Sequence, residues 1–256
     1  MKNSPAFHRL SLLIGDKAEA ALGETKVIVF GLGGVGSWCA EALVRSGLGN
    51  ITLVDHDTVD ITNINRQSQA VTGTIGQLKT DALSARLKEI NPDCAIASIP
   101  EYFSCPKDCR EKIAQRFGIP GTDYIIDAID SIESKLDLIE CAGHFGVTIF
   151  SSMGMALKLD PTRLRTASIW KTAGCVLARH VREGLRKRKF DGDFTVVFSD
   201  EKSGPKKPAQ DMGTINETVP PGQKRSIGSA VTVTAAAGMI LASLVINDIY
   251  GKSNLE

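Results

Sequence analysis

Strands that alternate with helices through residues 26–150 predict an α/β protein: a Rossmann-like, mostly parallel sheet with helices on both faces. Three observations carry this expectation. Lys26-Val-Ile-Val-Phe30 is a short apolar run followed by Gly31-Leu-Gly33-Gly34-Val-Gly36 and then a helical pattern. A second apolar run, Ile51 to Val54, ends in Asp55, about 20 residues beyond the glycines, where a dinucleotide-type fold places an acidic residue. Tyr124-Ile-Ile-Asp127 reads as a buried parallel strand, with Asp130 just beyond its C-terminal end.

Taken in chain order, Phe7 to Ala21 reads as a short helix pair broken at Gly15, and Lys26 to Asp55 as the first β-α-β unit. Residues 57–74 are polar and irregular and contain Asn63-Ile-Asn65-Arg66-Gln67. Leu83, Leu87 and Ile90 give helical periodicity from Lys79, which Asn91-Pro92 stops. Cys94 to Ile99 alternates as a strand, and Cys105 to Phe117 reads as a helix. A helix over Ile132 to Phe145 and a strand over Val147 to Phe150 follow. Beyond Gly154 the pattern becomes α+β: a strand from Arg165 to Trp170, a basic helix from Val176 to Arg188 and a strand from Thr195 to Phe198. Residues 201–227 form a long basic loop without periodicity, and a largely apolar helix begins near Val231.

The composition is that of a globular chain of 256 residues with a net charge of +1, so any basic surface must be local. Six cysteines (Cys39, Cys94, Cys105, Cys109, Cys141, Cys175) contain no C-x-x-C pair, which argues against a structural zinc site or disulfide framework and for a reducing, cytoplasmic setting. Met1 to Ala6 is polar, and no leader is expected. Residues 226–247 carry no charge and approach the length of a membrane span. Ser229, Thr232, Thr234, Gly238, Ser243 and the many alanines favour instead a helix buried on the sheet.

The glycines suit phosphate. Gly31 permits a tight turn, Gly33 and Gly34 admit backbone amides to an anion, and Gly36 lets helix and strand pack closely. Glycines of this kind also occur in turns that serve packing alone. Four further signals fall at predicted C-terminal strand ends: Asp55-His-Asp57, Asn63-x-Asn65-Arg66-Gln67, Lys79 and Asp130. A hydride-transfer enzyme has little use for Arg66 and Lys79 aimed at phosphates. Both suit a triphosphate whose α-phosphorus is attacked, because charge builds on the transferred group and on the leaving pyrophosphate. Asp130 suits Mg²⁺, a hard ion that takes one or two carboxylates plus phosphate oxygens.

In order and spacing, Gly31-x-Gly-Gly-x-Gly36, Asp55-x-Asp57, Asn63-x-Asn65-Arg-Gln67, Gly76-x-x-Lys79 and Asp127-x-x-Asp130 resemble the ubiquitin-activating superfamily of adenylating enzymes. The resemblance implies ATP as the nucleotide. Asp55 would bind its ribose, Asn65 and Arg66 its phosphates, with Asp57 and Gln67 beside them; Lys79 would take the α/β-phosphates and Asp130 magnesium. A monovalent cation is a further candidate ligand. Phe7-His-Arg9 matches a relative's arginine that reaches the partner subunit's ATP, implying a homodimer with composite sites. Asp160-Pro-Thr, Val197-Phe-Ser-Asp-Glu201 and Gly228-Ser-Ala-x-x-x-Thr-Ala235 resemble the branch that cyclises threonylcarbamoyladenosine at position 37 of tRNA. On that resemblance residues 1–155 form the ATP-binding domain, and 156–256 a substrate- and tRNA-binding portion packed on the same sheet.

For an RNA substrate the candidate contacts are Arg179, Arg182, Arg186, Lys187, Arg188 and Lys189, six cations in eleven residues, with Lys202, Lys206, Lys207, Lys224 and Arg225 along the loop. A solvated helix face would show the same pattern. Cys175 is a candidate for a covalent thioester, with a structural cysteine as the alternative. Two other functions stay open at this level. One is adenylation of a ubiquitin-like sulfur carrier, with a sulfur-transfer protein as a candidate partner; the other is a catalytically idle nucleotide-binding scaffold.

Overall fold

The computed structural model describes residues 5–201 and 228–255. The chain begins with α1 (His8–Glu24), which bends at Gly15, where φ is 80° and ψ 162°. Only glycine adopts that geometry without strain, which accounts for the predicted break. β1 (Lys26–Phe30), α2 (Gly36–Arg45) and β2 (Asn50–Val54) make the first crossover unit. Next come α3 (Lys79–Ile90), β3 (Ala95–Ile99), α4 (Arg110–Phe117), β4 (Tyr124–Asp127), α5 (Ile132–Phe145) and β5 (Thr148–Ser152). The remaining elements are β6 (Leu164–Ser168), α6 (Val176–Lys187), β7 (Thr195–Ser199) and α7 (Val231–Ser253).

The strands among the described residues join one seven-stranded sheet in the order β3-β2-β1-β4-β5-β7-β6, parallel except for the β6–β7 pair. The side chains of β1 explain why both faces are covered. Val27 and Val29 point into a cluster with Cys39, Leu43, Leu83, Leu87 and Leu241 from α2, α3 and α7. Ile28 and Phe30 point into the opposite cluster with Ala114, Phe117, Ile139 and Val181 from α4, α5 and α6. Alternation at period two therefore feeds two cores, and no face of the central strands is left for water.

Several elements differ from the sequence expectation; α1 runs on to Glu24 and β5 to Ser152, beyond the expected Ala21 and Phe150. The strand predicted over 165–170 stops at Ser168, because the Ser168 hydroxyl accepts a hydrogen bond from the Trp170 backbone N–H and starts a single 3₁₀ turn. The helix predicted over 105–117 opens with a separate 3₁₀ turn at Lys107–Cys109, and α4 proper begins at Arg110. Residues 202–227, including Lys202, Lys206, Lys207, Lys224 and Arg225, lie outside the described residues.

α7 is long and apolar enough to cross a membrane by length and composition. In this fold Val233, Ala237, Leu241, Ala242, Val245 and Ile249 are buried in the first cluster. Gly238 faces α2 so closely that a Cβ there would lie 2.5 Å from the Val35 carbonyl oxygen.

Candidate active site

Strand order reverses between β1 and β4, and loops leaving the two strands diverge there, opening a crevice at the strands' C-terminal ends. A cavity of about 830 Å³ occupies it. Its walls come from the glycine loop, the segments after β2, β3, β4 and β5, and Ser229 and Thr234 at the start of α7. The glycine loop is sterically determined. Gly31 has φ 86°, and a Cβ on Gly36 would lie 1.8 Å from the Gly31 carbonyl oxygen. At Gly33, by contrast, a Cβ would meet nothing within 4 Å, so that residue faces the open cavity. The N-terminus of α2 adds unpaired amides and a partial positive charge of about half a unit at this wall.

Asp55 ties the loop to β2. Its Oδ2 accepts the Leu32 N–H at 2.7 Å and its Oδ1 the Asp57 N–H at 2.9 Å. Gln69, missed from sequence, braces the same turn by donating to the Leu32 carbonyl at 2.9 Å. Lys79 is almost fully buried, with Nζ 2.6 Å from Asp57 Oδ2 and 3.9 Å from Asp55 Oδ1. Its backbone N–H donates to the Asp57 carbonyl, so the ammonium is fixed at both ends. The His56 imidazole lies 3.3 Å from Asp57, and Asp55, His56 and Asp57 bring their ligand atoms within 4.8 Å of one another.

Arg66 lines the cavity, folded along its own loop by bonds to the Thr62 carbonyl and to Asn65 Oδ1. Trp38 Nε1 holds that loop from below through the Arg66 carbonyl, at 2.9 Å. Asn65 stands outside the cavity lining and donates to the Ser229 carbonyl at 3.0 Å, joining the loop to the segment before α7. Gln67 is buried, accepts from Gln69 Nε2 and lines the wall. Asp130 is exposed on the opposite wall, and no described residue bonds its carboxylate, so its hard oxygens fit a Mg²⁺ ion carried on phosphate oxygens. Beneath it lies a fully buried pair: Lys135 Nζ contacts Asp127 Oδ2 at 2.7 Å, and the Ser151 hydroxyl donates to the same oxygen at 2.6 Å. The cavity thus brings two cations, Arg66 and Lys79, the second paired with Asp57, to the side of the glycine loop after β2, and the Asp130 carboxylate to the side after β4.

Comparison with known proteins fits this geometry. The sequence profile of the ThiF family matches residues 7–255. The chain belongs to the ThiF family. A tRNA threonylcarbamoyladenosine dehydratase of Bacillus subtilis is 38% identical over 250 residues, spanning 95% of this chain and 94% of that protein. A crystal structure of the Escherichia coli tRNA N6-threonylcarbamoyladenosine dehydratase in complex with ATP superposes with a TM-score of 0.83 at 30% identity, covering 98% of this chain and 96% of that one. A molybdopterin-synthase adenylyltransferase of Escherichia coli is 31% identical over 142 residues, 56% of this chain and 53% of that protein.

Other residues singled out from sequence lie farther from the cavity of this ThiF-family chain. Arg9 is exposed on α1 and does not line it. Cys175 is buried just behind the wall, where a Cβ on Gly154 would come within 3.8 Å of its Sγ, and it directly precedes α6, whose Leu177 does line the cavity. Along α6, Arg179 lies 4.0 Å from Glu183, Arg182 bonds the Thr172 hydroxyl, and the Arg186 guanidinium stacks over Trp170 at 5.6 Å. Arg188 corrects the reading of a uniformly free basic patch. Its guanidinium is held by Glu133, Asp137 and Glu140 at 2.6–2.8 Å, so it is already neutralised. The sequence does hold a signal for Glu101, Tyr102 and Phe103, which also line the cavity: they follow a strand end, as Asp55 and Asp130 do. Lys135 and Ser229 leave no comparable trace, because one looks like a helix-surface lysine and the other acts through its backbone.

Proposed function

We propose that this chain is an ATP-dependent adenylating enzyme that dehydrates N6-threonylcarbamoyladenosine at position 37 of tRNA to its cyclic form. The observation that carries the reading is coverage. Likeness to the dehydratases runs through both halves of the chain, whereas likeness to the carrier-protein adenylyltransferase spans little more than half. The part of the chain outside that shorter match therefore separates the two readings.

Loss of water from a carboxylate is uphill. Attack of the carboxylate on the α-phosphorus of ATP releases pyrophosphate and gives an acyl-adenylate. Attack of a nitrogen or oxygen of the urea group on the acyl carbon then displaces AMP and closes the ring. The chain's own groups do the rest by position. The Lys79 ammonium and the Arg66 guanidinium lie at the cavity wall and neutralise charge on the phosphates. Asp130 would hold Mg²⁺ against the same phosphates, Asp55 would accept from the ribose, and the α2 amides behind Gly33 and Gly34 would cradle the anion. The walls at Ser152, Met153 and Met155 bring the substrate carboxylate toward that corner and exclude water. No protein nucleophile is required for either step.

Three further features belong to the proposal. The basic face of α6 steers RNA toward the cavity mouth at Leu177. The functional unit is a homodimer in which Arg9 reaches the partner's nucleotide; Leu12 and Leu13, 75% and 76% exposed beside it on α1, support a covered surface there. Six cysteines without a disulfide suit the reducing cytoplasm. Incubation with ATP, Mg²⁺ and tRNA carrying the linear nucleoside is expected to give a nucleoside lighter by one water in mass spectrometry. Lys79→Ala should lose at least about a hundredfold in turnover while keeping the circular dichroism of a folded chain. An unchanged nucleoside mass with the wild-type chain refutes the reaction, and adenylation of a small carrier protein in its place would establish the alternative.

A further inference from the structure

At the other end of β5 and β7 lies a second cavity of about 680 Å³, lined by Thr148 and Thr195, the first residues of those strands. A five-residue strand, roughly 15 Å, separates it from the nucleotide cavity. Lys107, Arg110, Arg188 and Lys189 bring four cations to its wall. Arg188 is neutralised by its three carboxylates, and Lys107 lies 3.2 Å from Glu140, one of the three. Arg110 is different. Its side chain is only 14% exposed, its nearest carboxylate oxygen is 3.9 Å away on Glu140, and its Nε and Nη2 are buried without a hydrogen-bond partner. A buried guanidinium with unmet donors costs free energy unless an acceptor arrives, and the planar fork of arginine suits two oxygens of a phosphate.

Lys189 adds a second signal. It holds φ at 58°, a conformation that disfavours every residue with a Cβ except in special settings, and thereby turns the chain out of α6 so that residues 189–194 form the cavity rim. Glycines keep the space open: a Cβ on Gly192 would lie 2.6 Å from the Phe190 ring, and one on Gly143 3.0 Å from it. The cavity also lies just past the C-terminal end of α6. That helix starts at the nucleotide cavity with Leu177 and ends, about 18 Å on, with Arg186 and Lys187 beside this second cavity.

We propose that this second cavity binds a backbone phosphate of the substrate RNA through Arg110 and Lys189, several nucleotides from the base placed in the nucleotide cavity. The proposal rests on the RNA substrate argued above and deepens it. Asp191, exposed at the rim, offers an acceptor for a ribose 2′-hydroxyl, the group that distinguishes RNA from DNA.

The test measures binding of full-length tRNA by the intact protein, without ATP, as a function of salt. Arg110→Gln should weaken binding about tenfold and flatten the log–log salt dependence by about one unit. Lys189→Gly removes a charge at a site where glycine is conformationally favoured, so its melting temperature should not fall, while tRNA binding weakens about threefold. Both variants should bind ATP as the wild type does. If both bind tRNA within twofold of wild type with an unaltered salt slope, the proposal is overturned. If tRNA binding is unchanged but inorganic phosphate or uridine monophosphate stabilises the wild type and not Arg110→Gln, the cavity serves a free phosphate and the RNA assignment falls. Because binding and not turnover is read, a wild type that binds tRNA here yet leaves its nucleoside mass unchanged would refute the proposed reaction and keep this inference.

Discussion

Gly36 and Gly33 sit three residues apart in one loop and face opposite steric demands. A methyl group on Gly36 would collide with the Gly31 carbonyl at 1.8 Å, whereas one on Gly33 would enter open space. Gly36→Ala is therefore expected to lower the melting temperature by several degrees, because the turn must open to admit it. Gly33→Ala should melt as the wild type does and weaken ATP binding, since only the phosphate approaches there. Isothermal titration with ATP alongside a melting curve separates the two; equal stability loss in both variants would contradict the assignment. The sequence singled out these glycines, Asp55, Lys79 and Asp130 because each stands at a strand end or opens a helix, and Arg66 because it stands in a polar run; the fold brings Gly33, Asp55, Arg66, Lys79 and Asp130 to one cavity. Asn65 was expected from the sequence to contact phosphate, yet it stands outside the cavity lining and its amide donates to Ser229 across 164 positions of sequence, a pairing that no local pattern encodes.

Two polar clamps set how the helices stand on the sheet. Glu41 of α2 is buried against Arg86 of α3 and Arg45 of its own helix, at 2.6 Å and 2.9 Å. Burial alone would raise its carboxyl; the hydrogen bonds from Arg86 and Arg45 outweigh that and hold it below the ordinary value of 4.5. A depressed folded value contributes stability that is complete above the unfolded carboxyl range and is lost as pH falls through the folded one. Urea unfolding followed from about pH 6 to about pH 3 should show a steeper acid loss in wild type than in Glu41→Gln, and identical slopes would remove Glu41 from the account. The second clamp is the Lys135–Asp127–Ser151 group, which fixes α5 to β4 and β5 under Asp130. Lys135→Met leaves a buried, uncompensated carboxylate and should cost about 3–5 kcal/mol in urea unfolding; adding Asp127→Asn should return part of that loss. Periodicity revealed the helices and strands themselves, and missed the clamps, because a buried lysine and a surface lysine look alike in sequence. It also carried the strand after Arg165 two residues too far, since Ser168 ends the strand through a hydrogen bond to Trp170 rather than through any change in hydrophobic pattern.

At the scale of the whole molecule, the sheet does not stop where the glycine-loop half ends. β7 pairs with β5, β6 closes the edge, and α7 covers the face that α2 begins. The homodimer proposed above has a direct consequence for mixed subunits. Arg9→Ala and Lys79→Ala should each be nearly inactive alone, and mixing them after subunit exchange should restore about a quarter of wild-type turnover, because half of the dimers regain one intact composite site. Failure of the mixture to recover activity, with dimers verified by light scattering, would place Arg9 outside the site. The bond between Asn65 and Ser229, with Thr234 pressed against Gly34, bears on how the protein is made. Synthesis delivers the glycine loop about 200 residues before its far wall, at some 5–20 residues per second. Until α7 has left the ribosome, a nascent chain can pair β1, β2 and β4 and still present ATP with a cradle open on one side. The cavity's second wall is thus present only once residues 229–234 have been made.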